Sequence, residues 1–186
     1  MPSLATALAL IDAANAADPH LEQGQPAALL YGKRMTEELA RLVPDASEVL
    51  QIAARGQHVE RWLLPRDSYP DGKEGYLAWR REQGRRHALR VAGIMAEAGY
   101  PEADQDRVGV LLRKEGIKRD PEVQALEDVI CFTFIRWYLA PFAATRSATS
   151  LAEIVAKTAR KMSAGARARA LEEFAMPDEL AAAFRA

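Results

Sequence analysis

DPEVQALEDVICFTFIRWYLAPFA, residues 120–143, decides the fold. Asp120 is a capping residue, and Pro121 suits the first helical position, where its missing N–H costs nothing. From Val123 onward the stretch is apolar on nearly every side, through Leu126, Val129, Ile130, Phe132, Phe134, Ile135, Trp137 and Leu139. Such a helix belongs at the centre of a helical domain. Its most apolar part, Val129 to Ala144, is interrupted by Arg136 and Pro141 and is too short and too charged to span a membrane.

Working outward, helical signals continue on both sides. Ser3 caps a helix to about Ala17, ended by Asp18-Pro19. A second runs from Pro26 to Val43 and stops at Pro44. A third starts at Asp45 or Ser47 and leads into His58. Pro65 to Gly75 is dense in proline and glycine and reads as a loop. A long helix follows from about Tyr76 to Ala98, closed by Gly99 in the left-handed conformation. Another covers Glu102 to Glu115, ending at Gly116. Beyond the apolar helix, Ser150 and Glu153 form a capping box for Leu151 to Met162, and Ser163 and Pro177 open two short helices. Alternating β-branched runs are missing, so the expected class is all-α. The expected architecture is one domain over residues 1–186, a bundle of about eight helices. Its core covers about 27–140, and the helices of 150–186 pack on it.

Composition narrows the function classes. A chain of 186 residues folded as one unit buries roughly 70% of its unfolded surface. Hydrophobic residues make up 49% and charged ones 27%, an ordinary globular balance. The net charge of −1 supplies no global basic field for nucleic acid or an anionic membrane. Cys131 is the single cysteine; it excludes an intrachain disulfide and reads as a small buried apolar residue. Met1 to Ala17 lacks a basic leader and is interrupted by Asp12, unlike a signal peptide. The expected compartment is the cytoplasm.

Chemistry concentrates in a histidine, histidine, acid series. His58 ends the third helix, His87 lies inside the fourth, and Glu127-Asp128 sit on the apolar helix, where at least one carboxylate must be enclosed. A buried carboxylate needs a cation, a metal or hydrogen-bond donors. Arg136 lies about 80° round the helix and ~12 Å along it from Asp128, too far to serve. Two imidazoles and an acid suit a divalent metal. The plainer alternative is a backbone hydrogen bond for each histidine and a helix-to-helix salt bridge for the acids. His20 reads as a solvated loop residue.

Order and spacing add to this. His87 follows His58 by 29 residues, Lys114 follows by 27, and Asp128 by a further 14. With the lead-in Ala53-Ala54-Arg55-Gly56-Gln57-His58, the segment Gly84-Arg85-Arg86-His87 and the segment Ala125-Leu126-Glu127-Asp128, the series resembles the HD-type metal phosphohydrolases over about residues 27 to 140. That resemblance implies an all-helical fold and a divalent metal ion of unspecified identity held by His58 and Asp128, helped by His87 or Glu60. It also implies a water oriented by Glu60 or Glu127. The sequence departs from the motif at three places. Val59 stands at the position of the motif's Asp, Lys114 at that of a later histidine, and the second helix offers Tyr31, Arg34, Met35 and Glu38 with no histidine.

At closer range, Tyr31-Gly32-Lys33-Arg34-Met35, His58-Val59-Glu60-Arg61-Trp62, the Pro65-Arg66 to Trp79-Arg80 loop and Glu127-Asp128-Val129 resemble an uncharacterised domain-of-unknown-function family (4202). Some of its members carry a glutamyl-tRNA synthetase label. Lys161-Met162-Ser163 echoes a synthetase signature, but the companion His-Ile-Gly-His and the nucleotide-binding α/β pattern are missing, which rejects that activity.

Cationic side chains interleave with these candidates. Arg61, Lys73, Arg80 and Lys114 are the expected ligand-binding set, because arginine forks match phosphate oxygens and neighbouring tryptophans offer faces to a base or a guanidinium. Arg81, Arg85 and Arg86 read as a solvated helix surface. Gly72-Lys73-Glu74-Gly75 lacks the spacing and the preceding strand of a phosphate loop. The expected function is a divalent-metal phosphohydrolase, or a phosphate-ester-binding or nucleotide-binding protein derived from one, acting on a small phosphorylated or nucleotide-like ligand. The alternative is a non-catalytic helical module without metal. Alanine-rich terminal helices suit a homodimer as well as a capped monomer.

Overall fold

A computed structural model describes residues 1–185. Ten α-helices, two 3-10 turns, one π turn and one two-residue antiparallel strand pair account for its regular structure among the described residues, so the chain is all-α. The backbone falls into two compact units, Met1–Glu115 and Gly116–Ala186.

The first unit begins with α1 (Leu4–Asn15), capped by Ser3, whose hydroxyl accepts from the Thr6 amide. A hairpin follows. β1 (Leu21–Glu22) pairs with β2 (Gln25–Pro26) around Gln23 and Gly24, both at positive φ, as a tight two-residue turn requires. Asp18 anchors this region. Its buried carboxylate accepts from the amides of His20 and Ala28, while the His20 ring remains largely exposed beside it. Helix α2 is Ala27–Leu42 and α3 is Glu48–Arg55. Arg55 ties three helices together: it grips both oxygens of Asp12 at 2.6 Å and donates to Thr36 at 3.0 Å.

Helix α4 spans Gly72–Glu97, starting four residues earlier than the expected Tyr76. Gly75, expected in the loop, lies in its first turn, where a Cβ would stand 1.9 Å from the Pro70 carbonyl oxygen. The glycine is there to let the helix press against the incoming chain. Gly99, at φ +85, closes α4 as expected. Helix α5 (Glu102–Arg113) packs along α4 and ends on Lys114 at φ +58. The core of this unit is Ile11, Met35, Leu39, Leu50, Ile52, Val91, Ile94, Met95, Val108 and Leu111, all at or below 2% exposure.

The second unit opens on α6 (Pro121–Thr133), capped as expected by Asp120, which accepts from the amides of Glu122 and Val123. The expected continuous helix to Ala143 is instead divided. A π-helical turn covers Phe134–Tyr138 before α7 (Leu139–Ala143). Pro141 has no N–H for the carbonyl four residues back, so regular bonding cannot pass through this point. Helix α8 is Ala148–Lys161, and its cap is Ser147, accepting from the Ser150 amide, where a Ser150–Glu153 box was expected. Ser163 caps α9 (Ala164–Glu173), and α10 is Asp178–Arg185. No described helix is long and apolar enough to cross a membrane.

Candidate anion-binding site

The site grows out of the turn that follows α3. Gly56 ends that helix, and a Cβ there would stand 2.6 Å from Val91 Cγ2, so the turn sits directly on α4. Val59 is buried, and Glu60 takes the left-handed conformation at φ +51, unusual for a residue with a side chain. Asn15 holds it there by accepting the Glu60 amide at 3.1 Å. A 3-10 turn over Arg61–Leu63 follows. It is fastened to α4 by Gln83 Nε2, which donates to the carbonyls of Arg61 and Leu64, and by Trp79 Nε1, which donates to Leu64.

These fastenings bring His58 and His87 together. The His58 ring stacks on Tyr31 of α2, centroids 3.8 Å apart and planes 13° apart. The His87 ring, from α4, lies 6.2 Å from that of His58. Arg61 is carried over the Trp79 face at 4.6 Å. Arg80 lies 5.9 Å over Tyr76 and donates to its hydroxyl at 3.3 Å. Trp79 and Tyr76 are themselves in contact, centroids 6.0 Å apart, so the two guanidiniums ride on one aromatic pair.

Electrostatically the site is cationic. Burial holds the His58 imidazole well below its ordinary range, and Arg61, His87, Lys114 and Arg80 push it further in the same direction. His87 is pushed down to about 3, again by burial first, then by Arg61, Arg86 and Lys114. Even Arg61 is lowered, by burial and by Arg80, with Tyr31 partly offsetting them. Both imidazoles are therefore neutral at pH 7, and the charged groups that depress them are positive. Nε2 of His87 is buried without a hydrogen-bond partner.

Of the residues singled out in the sequence, the structure groups His58, His87, Arg61, Arg80 and Lys114. Others lie apart. Lys73 is exposed in the first turn of α4, two turns before Arg80. Glu60 points its carboxylate to Arg90 at 3.0 Å. Arg66 bonds the Tyr69 and Pro70 carbonyls and so braces the loop. Arg85 pairs with Glu82 on the exposed face of α4, as a solvated surface residue would.

Glu127 and Asp128 belong to the second unit. Glu127 is 2% exposed and lies 3.7 Å from Lys161, a bridge from α6 to α8. Asp128 accepts from Gln124 Nε2 at 2.9 Å, from the Ser163 amide at 2.8 Å and from the Ser163 hydroxyl at 2.7 Å. It is the brace of the α9 N-terminus. Arg136, likewise in this unit, pairs with Glu173 at 2.7 Å.

A divalent metal does not suit this donor set. The two imidazoles that meet are flanked by guanidinium and ammonium groups, whose charge opposes a second cation. The Asp128 oxygens already serve three donors. Among the described residues, no group of three or more His, Cys, Asp or Glu side chains is arranged to hold a metal ion. A shallow apolar depression by Tyr69, Pro70, Gly75 and Leu77 contains neither histidine.

Sequence reasoning offered tryptophan faces to a guanidinium but missed Tyr76 and the pairing of Arg61 with Trp79. Trp79 and Tyr76 flank Arg80 at spacings of one and four residues, the second of which places side chains on one helical face. The stacking of Tyr31 on His58 had no local signal. Asn15, which fixes the turn, was equally silent.

The class is thus an all-α chain in which two buried histidines meet among cationic side chains. The chain belongs to the family described as Domain of unknown function (DUF4202), whose model matches residues 5–183. No curated protein and no solved structure matches it.

Proposed function

We propose that this protein binds a small phosphorylated ligand through a metal-free anion site on an HD-domain-like helical core. The observation that carries the reading is the pair of neutral imidazoles, His58 and His87, among Arg61, Arg80 and Lys114. Mutual repulsion among those cations is relieved when an anion enters, and partial burial strengthens each contact relative to water. Each neutral imidazole offers one N–H donor, and Arg61 and Arg80 offer planar forks that match phosphate oxygens. The ring of His87 gives the deep end of the site a buried nitrogen in need of a partner.

The binding reading is favoured over hydrolysis by where the carboxylates are engaged. Glu60 is paired with Arg90 and Asp128 braces α9, so neither is poised to activate a water. Calorimetric titration of chelator-treated protein with inorganic phosphate tests the proposal. Saturable binding that weakens about tenfold or more in Arg61→Gln is expected, the usual scale for a charge-assisted hydrogen bond. Heat absent until a divalent metal is restored would reject it.

A further inference from the structure

Three side chains around the Gly56–Glu60 turn are more than nine-tenths buried, and each has a polar atom without a partner: Nδ2 of Asn15, Oε1 of Gln57 and Nε2 of His87. Buried polar atoms in native proteins are almost always satisfied, so three around one turn ask for a common explanation. Their placement is fixed independently. Asn15 is tied to the turn through its Oδ1, which accepts from the Glu60 amide, and this bond identifies the other end of its carboxamide as the donor. Gln57 is part of the turn. His87 lies one helical turn before Val91, the residue on which Gly56 rests.

The chemistry of the three atoms differs from that of the cationic groups nearby. Asn15 supplies a donor and the Gln57 carbonyl an acceptor. A phosphate oxygen satisfies a donor but gives nothing to an acceptor. A hydroxyl group does both, accepting from Asn15 and donating to Gln57. Gln57 also has three side-chain torsions with which to swing its amide while the backbone stays in place.

We propose that the anion site continues into a hydroxyl-reading subsite formed by Asn15 and Gln57, so that the ligand is a phosphorylated polyol or sugar. The phosphate lies against Arg61, His58 and His87, and the hydroxyls bridge Asn15 and Gln57. This rests on the anion-binding reading of the same pocket and adds the class of compound that carries the phosphate.

The test compares inorganic phosphate, ribose 5-phosphate and n-butyl phosphate by calorimetry on the full chain. The wild-type protein is expected to bind ribose 5-phosphate about tenfold more tightly than butyl phosphate. In Gln57→Met that preference should fall to about threefold or less, with inorganic phosphate bound as before. Equal affinity of the wild-type protein for the two esters would overturn the inference and assign the buried atoms to ordered water only. So would a preference that survives in Gln57→Met. The wild-type comparison decides even where the variant fails to fold. Absence of inorganic phosphate binding would remove the anion site and this subsite together, whereas phosphate binding without discrimination removes the subsite alone.

Discussion

The ring of His58 lies flat on Tyr31, 3.8 Å between centroids, and this stack fixes which edge of the imidazole faces His87. A ring held between an aromatic face and a cationic wall has little freedom to reorient, so its nitrogens are preorganised for a ligand. Replacing Tyr31 with Leu keeps much of the apolar volume and removes the stacking plane. Phosphate affinity should drop about three- to tenfold, on the scale of an aromatic contact, while thermal unfolding moves little. Calorimetry beside a melting curve separates the two effects.

Acid should destabilise the protein through the histidines. Burial and neighbouring cations lower the pKa of His87 in the folded state to about 3, while the unfolded side chain returns to its ordinary value near 6.5. Between those values the unfolded chain binds a proton that the folded chain refuses, so stability is whole above about pH 6.5 and is lost as pH falls. The limiting slope is about 1.4 kcal/mol per pH unit for each such histidine. Urea unfolding at pH 7.5, 6 and 5 should show a smaller loss in His87→Met than in the wild-type protein. Identical losses would mean that His87 is accessible to protons in the fold.

Asp128 is expected to matter for stability. Its carboxylate takes both the amide and the hydroxyl of Ser163, so Asp128→Ala should cost about 1–3 kcal/mol, in the range of a lost cap with an orphaned donor. Metal content measured before and after the substitution should not change. A stoichiometric metal that vanishes with Asp128 would reverse the assignment.

Two glycines on opposite sides of α4 give opposite expectations. A Cβ on Gly56 meets Val91 Cγ2 at 2.6 Å, so Gly56→Ala should destabilise by about 1–3 kcal/mol and disturb the turn that carries His58. Gly93 is exposed on α4 with nothing within 4 Å of a Cβ, so Gly93→Ala should stabilise by about 0.5–1 kcal/mol. Chemical denaturation of the two variants side by side checks both signs.

Much of the fold was legible in the sequence because helix ends carry local chemistry. Ser3, Asp120, Ser163 and Gly99 act at the positions their residue types suggest. Errors arose where tertiary packing overrode the local signal. Gly75 looked like a loop residue and instead permits a close approach to Pro70. The apolar helix expected to run on to Ala143 is divided by a π turn ahead of Pro141.

The candidate site was legible as residue types and less so as partnerships. His58, His87, Arg61, Arg80 and Lys114 were all picked out from order and charge. Asp128 looked like a ligand because a carboxylate on an apolar helix demands a partner, and beside Gln124 one turn away it takes Ser163, 35 residues on. Pairing over that distance leaves no periodic trace. The same holds for Tyr31 on His58 and Asn15 on the Glu60 amide.

The central claim, that two neutral imidazoles face an anion and no metal, is tested most directly by the ring nitrogens themselves. Nitrogen-15 spectra of the histidine side chains, recorded on chelator-treated protein at pH 7 during a phosphate titration, should show His58 and His87 signals moving together to saturation. His20, exposed at the hairpin, should stay still apart from any weak salt effect. Ring signals that ignore phosphate and shift only when a divalent metal is added would contradict the account.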